Sequence, residues 1–528
     1  MVGKLFHGNK IYTMAEEGHS VEAVFTENGK IVSTGTLQDL KSTYQDRITE
    51  EIEVDGVMLP GFIDSHMHII GHGERLIRLD LGNIETREEV LTAVEKAASG
   101  LTDGEWLIGE GFNENYWDDP VVIHRKELDE RSPNHPVMLS RVCRHALVVN
   151  TKAMEIAGVD DKSEDIPGGV IGRDQTGELD GSFFDQAQEL IKEAMPSVSQ
   201  NYLERAIETS IDDLLKYGIV GGHSEDLSYY GGFKHTFDAF KQVITRQKNF
   251  RAHLLVHHDA VDEFYKEGYE ATVKDDWLEF GAMKIFVDGA LGGRTALLSR
   301  PYKDDPETRG VAIHSDEVLE QLVIKARSMG MAVAVHAIGD EAVEKIVDMI
   351  ERHPVPSGQN DRIIHAQIMR PELIERMKKL QVIIDVQPTF VASDFPWVID
   401  RVGEDLIRTS YPWKTYIEAG IICAGGSDAP IEHINPLEGI DAAVNRRSSF
   451  DGKPYGLEQC LSVFEAIELY TVKPAEVIRK SDEQGRIREG HFADFVILDQ
   501  DPFEVDSLDL HKIKVTRTIV GEEIVYSK

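Results

Sequence analysis

His66 and His68 stand two residues apart at the end of the run Phe62-Ile63-Asp64-Ser65, just after the break at Pro60-Gly61. On an extended segment that spacing turns both imidazoles to one side. Two neutral imidazoles on a stiff strand make half of a site for zinc or a neighbouring divalent metal, because such ions take nitrogen ligands. Alone, a His-x-His pair is more often a surface or core feature than a ligand pair, so the reading depends on what later strands add. They add Lys284 within Ala-Met-Lys-Ile-Phe-Val-Asp-Gly, His336 after Val-Ala-Val, His365 after Ile-Ile, and Asp428 in Gly-Gly-Ser-Asp-Ala-Pro. Taken singly, a histidine after an apolar strand is usually a hydrogen-bonded core residue, and a lysine inside one snorkels. Taken together, they are hard to assemble by chance.

The scaffold must bring those strand ends together, and the middle of the chain alternates strands with helices, as a parallel sheet with helical crossovers requires. Strand patterns at residues 219–223, 252–257, 283–287, 332–336, 362–365, 382–386 and 421–425 follow the one that ends at His66 and His68. The helix expected over 200–217 carries Leu203, Ala206, Ile207, Ile211, Leu214 and Leu215 on one face and stops at Gly218. Another, over 315–329, opens with Ser315 as cap and Asp316 and Glu317 in its first turn. Eight strands are the count of a closed (β/α)8 TIM-like barrel, whose catalytic groups sit at the C-terminal strand ends. The stretch of about 72–199 is too long for one crossover and reads as an insertion after barrel strand 1. Short strands at both termini, with a hairpin at Asn28-Gly29, predict a small composite β-sandwich domain of residues 1–58 and 481–528 around a barrel domain of 59–480.

Composition removes several classes of function. A formal charge of -37 over 528 residues repels phosphate backbones and anionic bilayers, which argues against nucleic acid and membrane as partners. Three cysteines, Cys143, Cys423 and Cys460, lie far apart and suggest neither a disulfide framework nor a sulfur-ligated zinc. With no apolar leader at the N-terminus and no run near ~20 apolar residues, a soluble cytoplasmic enzyme is expected. Its partner is a small-molecule substrate, and a homodimer is the assembly envisaged.

The set His66-x-His68, Lys284, His336, His365 and Asp428 resembles the metal-site pattern of the amidohydrolase superfamily without a gap, over nearly the whole chain. Gly109-x-Gly111-Phe112-Asn113 with Trp117, Arg141-x-x-x-His145 with Asn150, and Asp288-Gly289 before Arg294-Thr295 are similar to its YtcJ-like branch, which contains N-substituted formamide deformylase. The resemblance implies a metal-dependent hydrolase of non-peptide carbon–nitrogen bonds (amide, N-acyl or N-formyl) that uses metal-activated hydroxide. It also implies two divalent ions, expected to be zinc, with His66, His68 and Asp428 on one and His336 and His365 on the other. Burial would expose Lys284 as a neutral amine, and the resemblance implies that this amine becomes a carbamate bridging a binuclear centre. Asp428 is the expected proton carrier, making it and Lys284 the catalytic pair.

His145, His223 and Arg294 are candidates for substrate contact, with Asn113 and Trp117 as lid residues on the insertion and 387–420 as a second lid. The rival readings are a mononuclear deaminase of an amino-heterocycle and a metal-free oligomeric scaffold. Deaminases of this superfamily often place a glutamate near the fifth-strand histidine, where this chain offers Asp340. None of the six ligand positions is missing, which disfavours the scaffold.

Overall fold

The computed structural model describes residues 3–82, 84–102, 104–114, 117, 121–141, 146–166, 168–195, 198–244, 248–269 and 275–528. The chain divides into two compact units, residues 1–72 with 203–528, and residues 73–202.

In the larger unit eight strands run parallel: β1 (Phe62–Met67), β2 (Ile219–Ser224), β3 (Arg251–His257), β4 (Leu278–Phe286), β5 (Val333–Ala337), β6 (Asp361–His365), β7 (Val382–Val386) and β8 (Ile422–Gly425). They pair in chain order from β1 to β8. The two ends of that order are tied by Asp428 N–H to His66 O (2.8 Å) and His68 N–H to Ala429 O (2.8 Å). The result is the TIM-barrel-like α/β arrangement. Apolar runs such as Val333-Ala334-Val335 and Val382-Ile383-Ile384 are buried throughout, as strands covered on both faces must be.

The crossover helices follow their sequence signals. Asp316–Ser328 is capped by Ser315, whose hydroxyl accepts from Val318 N–H, and it buries Leu319, Val323 and Ala326. Gln200–Lys216 buries the six expected apolar residues and Ser210. Gly218 after it has φ +77, and a Cβ there would lie 2.4 Å from Val496, so this position needs glycine twice over. One strand departs from its expected span: β4 starts at Leu278 rather than at 283. Glu279 near its start is buried against His253 (2.9 Å) and Lys480 (3.0 Å), so a charged residue is accommodated within the strand.

Strands from both termini share one seven-stranded sheet, in which Phe495–Leu498 pairs antiparallel with Ile48–Pro60. Asn28 (φ +54) and Gly29 (φ +76) make the hairpin between Ser20–Glu27 and Lys30–Gly35. Phe6 and Phe495 meet edge to face at 5.3 Å in its core. Arg251, the first residue of β3, locks this sheet to the barrel. It donates through Nε (2.6 Å) and Nη2 (3.1 Å) to the buried Asp494 carboxylate and lies over the Phe492 and Trp277 rings.

The unit of residues 73–202 has its own six-stranded sheet and its own apolar core, built from residues such as Leu81, Val90, Leu107, Phe112 and Leu139. No helix among the described residues is long and apolar enough to cross a membrane.

The Arg251–Asp494 pair gives a direct test. Removing one partner leaves a buried, uncompensated charge, which costs about 3–5 kcal/mol. Arg251→Ala and Asp494→Ala should each lower stability by that order in denaturant unfolding. The double variant should lose clearly less than their sum; additive losses would show the pair to be uncoupled.

Candidate metal centre

β1, β4, β5, β6 and the turn after β8 deliver the six sequence-selected polar residues to the C-terminal end of the barrel. His66 Nε2 lies 3.3 Å and His68 Nε2 3.6 Å from Asp428 Oδ1. His68 Nδ1–H donates to the Glu225 carbonyl at 2.7 Å, which fixes Nδ1 as a donor and leaves Nε2, the nitrogen open to a proton or a cation, facing Asp428. Three ligand atoms, one each from His66, His68 and Asp428, lie within 4.8 Å of one another. Burial draws the His68 pKa down, but Asp428, Asp226 and Glu225 outweigh it and push the imidazole up to about 9. The negative field that draws a proton there also favours a metal cation. For Asp428, burial opposes ionisation, yet the imidazoles of His66 and His68 hold the carboxyl well below its usual range.

The second half of the site repeats the pattern. His336 Nε2–H donates to Gly289 O (3.1 Å), and His365 Nδ1–H donates to Gln387 Oε1 (2.7 Å). The remaining nitrogens, His336 Nδ1 and His365 Nε2, then face each other at 3.0 Å with only lone pairs between them. Such an arrangement calls for one proton or one cation. Lys284 is fully buried, its Nζ has no hydrogen-bond partner among the described residues, and it lies 4.4 Å over the Phe286 ring. Burial lowers its pKa, against the pull of Glu225 and Asp428. Facing lone pairs and an orphaned amine fit a divalent metal in its nitrogen and oxygen donor chemistry.

Local backbone strain accompanies these positions. His365 (φ +80) and Asp428 (φ +56) are left-handed without being glycine, at a cost on the order of 1–3 kcal/mol each. Asp64 supports the second of them. Its buried carboxylate accepts from His66 N–H (3.0 Å) and Ser427 N–H (3.0 Å), and burial pushes its pKa up to about 7 in spite of those donors.

The other expected contacts are scattered. His223 is buried within the barrel, 3.4 Å from Arg362 Nη2 and beside His253, below the level of His365. Arg294 is held by Asp304 through Nε (3.2 Å) and Nη2 (2.9 Å). Trp117 is 5% exposed and packs on Phe112 in the core of the 73–202 unit; Asn113 follows the strand Leu107–Phe112 of that unit. His145 lies outside the described residues. In 387–420, Gln387 orients His365, and Phe390 stacks on the same ring at 5.9 Å.

Sequence reasoning missed Asp64, Glu225 and Asp226. Asp64 precedes His66 by two residues, and the acidic pair follows β2 directly. Their position beside strand ends was the signal the sequence offered; their burial beside imidazoles is seen in the structure alone. Glu225 is fully buried, with Tyr229 Oη–H donating to Oε2 at 2.7 Å.

Residues 55–526 match the model of the amidohydrolase family, and the chain belongs to that family. It is 50% identical to YtcJ of Bacillus subtilis (strain 168) over 528 residues, 99% of each chain. N-substituted formamide deformylase of Arthrobacter pascens is 25% identical, over 98% of this chain and 97% of its own. Among solved structures, an uncharacterised metal-dependent hydrolase of Pyrococcus horikoshii OT3 superposes with a TM-score of 0.80 at 28% identity, covering 96% of this chain and 99% of that one.

Asp64→Asn keeps the side-chain volume but turns one acceptor oxygen into a donor facing backbone N–H groups. It is expected to lower the divalent metal retained per chain, measured by elemental mass spectrometry, although no proposed ligand is altered. Unchanged metal content would show that Asp64 does not hold the site in shape.

Proposed function

We propose that this chain is a metal-dependent amidohydrolase that cleaves a non-peptide carbon–nitrogen bond of a small molecule, an amide, N-acyl or N-formyl compound. The observation that carries this reading is the lone pair of His336 Nδ1 facing that of His365 Nε2 at 3.0 Å, beside the orphaned amine of Lys284. In this reading His66, His68 and Asp428 hold one ion, expected to be zinc, and His336 and His365 hold the other. Lys284, whose charge burial disfavours, would supply a ligand shared by the two as a carbamate, formed by addition of carbon dioxide at Nζ with loss of one proton.

When bound, the metals supply Lewis acidity toward water and toward the substrate carbonyl. The chain's own groups do the rest. Asp428 accepts a proton on its carboxylate from the attacking water and returns it to the leaving nitrogen, so that the amine departs neutral. The Glu225 and Gly289 carbonyls and the Gln387 amide keep His68, His336 and His365 in the tautomers just described. Tyr229, half exposed and fixed by Glu225, stands beside His68 where an apolar substituent can rest.

The likeness to N-substituted formamide deformylase supports N-acyl chemistry over deamination. So does Asp340, the group that would stand in for a deaminase glutamate. It is fully buried, accepts from Ser299 N–H (2.9 Å) and pairs with Arg370 (2.9 Å), which commits it to the loop.

The test is a panel of N-substituted formamides and N-acyl amines assayed for amine release, with amino-heterocycles assayed in parallel for ammonia. Amine release is expected, and Asp428→Asn should cut it by about 10²–10⁴-fold, the range for loss of a positioned acid–base group. Lys284→Ala should lower the metal content from about two per chain. Ammonia release without amine release, or metal content indifferent to Lys284, would overturn the respective halves of the reading.

A further inference from the structure

A second cluster of ligand-type side chains lies at the end of β3. His257 and His258 stack at 4.4 Å, and Asp259 follows them on the turn. Asp259 Oδ1 is 3.1 Å from His258 Nδ1, and Oδ2 is 3.6 Å from His257 Nδ1. A tetrahedral ion with bonds of about 2.0–2.1 Å needs its ligand atoms roughly 3.3 Å apart, so both of these edges are near that length. One ligand atom from each of the three residues lies within 4.8 Å of the others, in a group separate from that of His66, His68 and Asp428.

A hydrogen-bonded turn would account for Asp259 and its neighbours, but not for His314. That residue arrives from the chain between β4 and the helix Asp316–Ser328, and its ring meets His258 edge to face at 5.2 Å. Its Nε2 is buried with no hydrogen-bond partner among the described residues. A buried imidazole nitrogen left unpaired beside two other imidazoles and a carboxylate is a donor lacking an acceptor, or a ligand lacking its ion.

We propose that His257, His258 and Asp259, with the ring of His314 against them, form an accessory site for a divalent metal ion of the zinc class, distinct from the six-residue centre. Asp259, largely exposed, is the entry side, and the ion arrives from solvent. The backbone N–H of Asp259 donates to His257 Nδ1 at 3.2 Å, and an ion must displace that contact, so this site is weaker than the main one. His257 also packs against Tyr229 at 5.8 Å and Phe286 at 5.9 Å, so filling the site stiffens the wall of the barrel mouth.

The experiment uses the full-length protein with the metals it carries on isolation. It is equilibrated with a small excess of zinc and desalted, and zinc per chain is read by elemental mass spectrometry. The wild type is expected to retain one equivalent more than Asp259→Asn and His258→Ala, with the metal present on isolation unchanged in both variants. His511→Ala, at a half-exposed histidine elsewhere, should lose none. Equal zinc in the wild type and Asp259→Asn, or an equal loss in His511→Ala, would reduce the cluster to a turn and the binding to adventitious surface uptake. If His258→Ala fails to fold, Asp259→Asn decides alone, since its side chain is 73% exposed.

Discussion

The site depends on the closure between β1 and β8, and the closing element is the buried carboxylate of Asp64. By accepting the backbone N–H groups of His66 and Ser427, it sets the histidines of the first strand beside the turn that follows the last one. Gly426 lies in the same joint, where a Cβ would come within 2.6 Å of His66 N, so even a methyl group would force the two ends apart. The left-handed Asp428 is tolerable because its own N–H reaches His66 O at 2.8 Å.

Below the centre a layer of paired charges fills the barrel. Arg362 forms a bidentate pair with Asp385, both contacts at 2.9 Å, and gives a further hydrogen bond to Ser65 O at 2.6 Å, next to His66. Breaking such a buried pair costs several kcal/mol, because the remaining charge has no solvent to turn to. This layer carries β6 and β7 to β1 on the side opposite Asp64. β1 is thus held at two points beside the buried His66, through the Asp64 carboxylate and through Ser65 O.

Much of this was legible in the chain, for physical reasons. The barrel strands are short apolar runs closed by turn residues, and their period is strong enough to place all eight; β4, expected from 283, begins at Leu278, and its Glu279 has partners 26 residues before and more than 200 after it. The six polar residues could be selected because they recur together at the ends of five apolar runs, although each alone says little. Asp64, Glu225 and Gln387 were not selected, since an acid or amide near a strand end is common and only its burial distinguishes it. Substrate contacts were the least legible. His223 and Arg294 carry the right chemistry, but their partners, Arg362 and Asp304, are fixed by the fold and not by spacing along the chain.

Charge balance around the centre decides which chemistry the barrel can host. Asp428, Glu225 and Asp226 are all buried there, with Lys284 the one lysine among them. Burying one unmatched carboxylate costs several kcal/mol, and here burial raises the pKa of Glu225 as that cost predicts. Burial lowers the pKa of Lys284 and so works against its charge as a counter-ion to the set, although Glu225 and Asp428 pull the other way. Burial also lowers the pKa of His66, His336 and His365, which favours their neutral, lone-pair form, while at His68 the acids outweigh burial and raise it. Three buried acids, a buried lysine and four histidines make a donor set that a divalent cation would suit, and a cation held there would be placed to polarise a carbonyl and a water molecule.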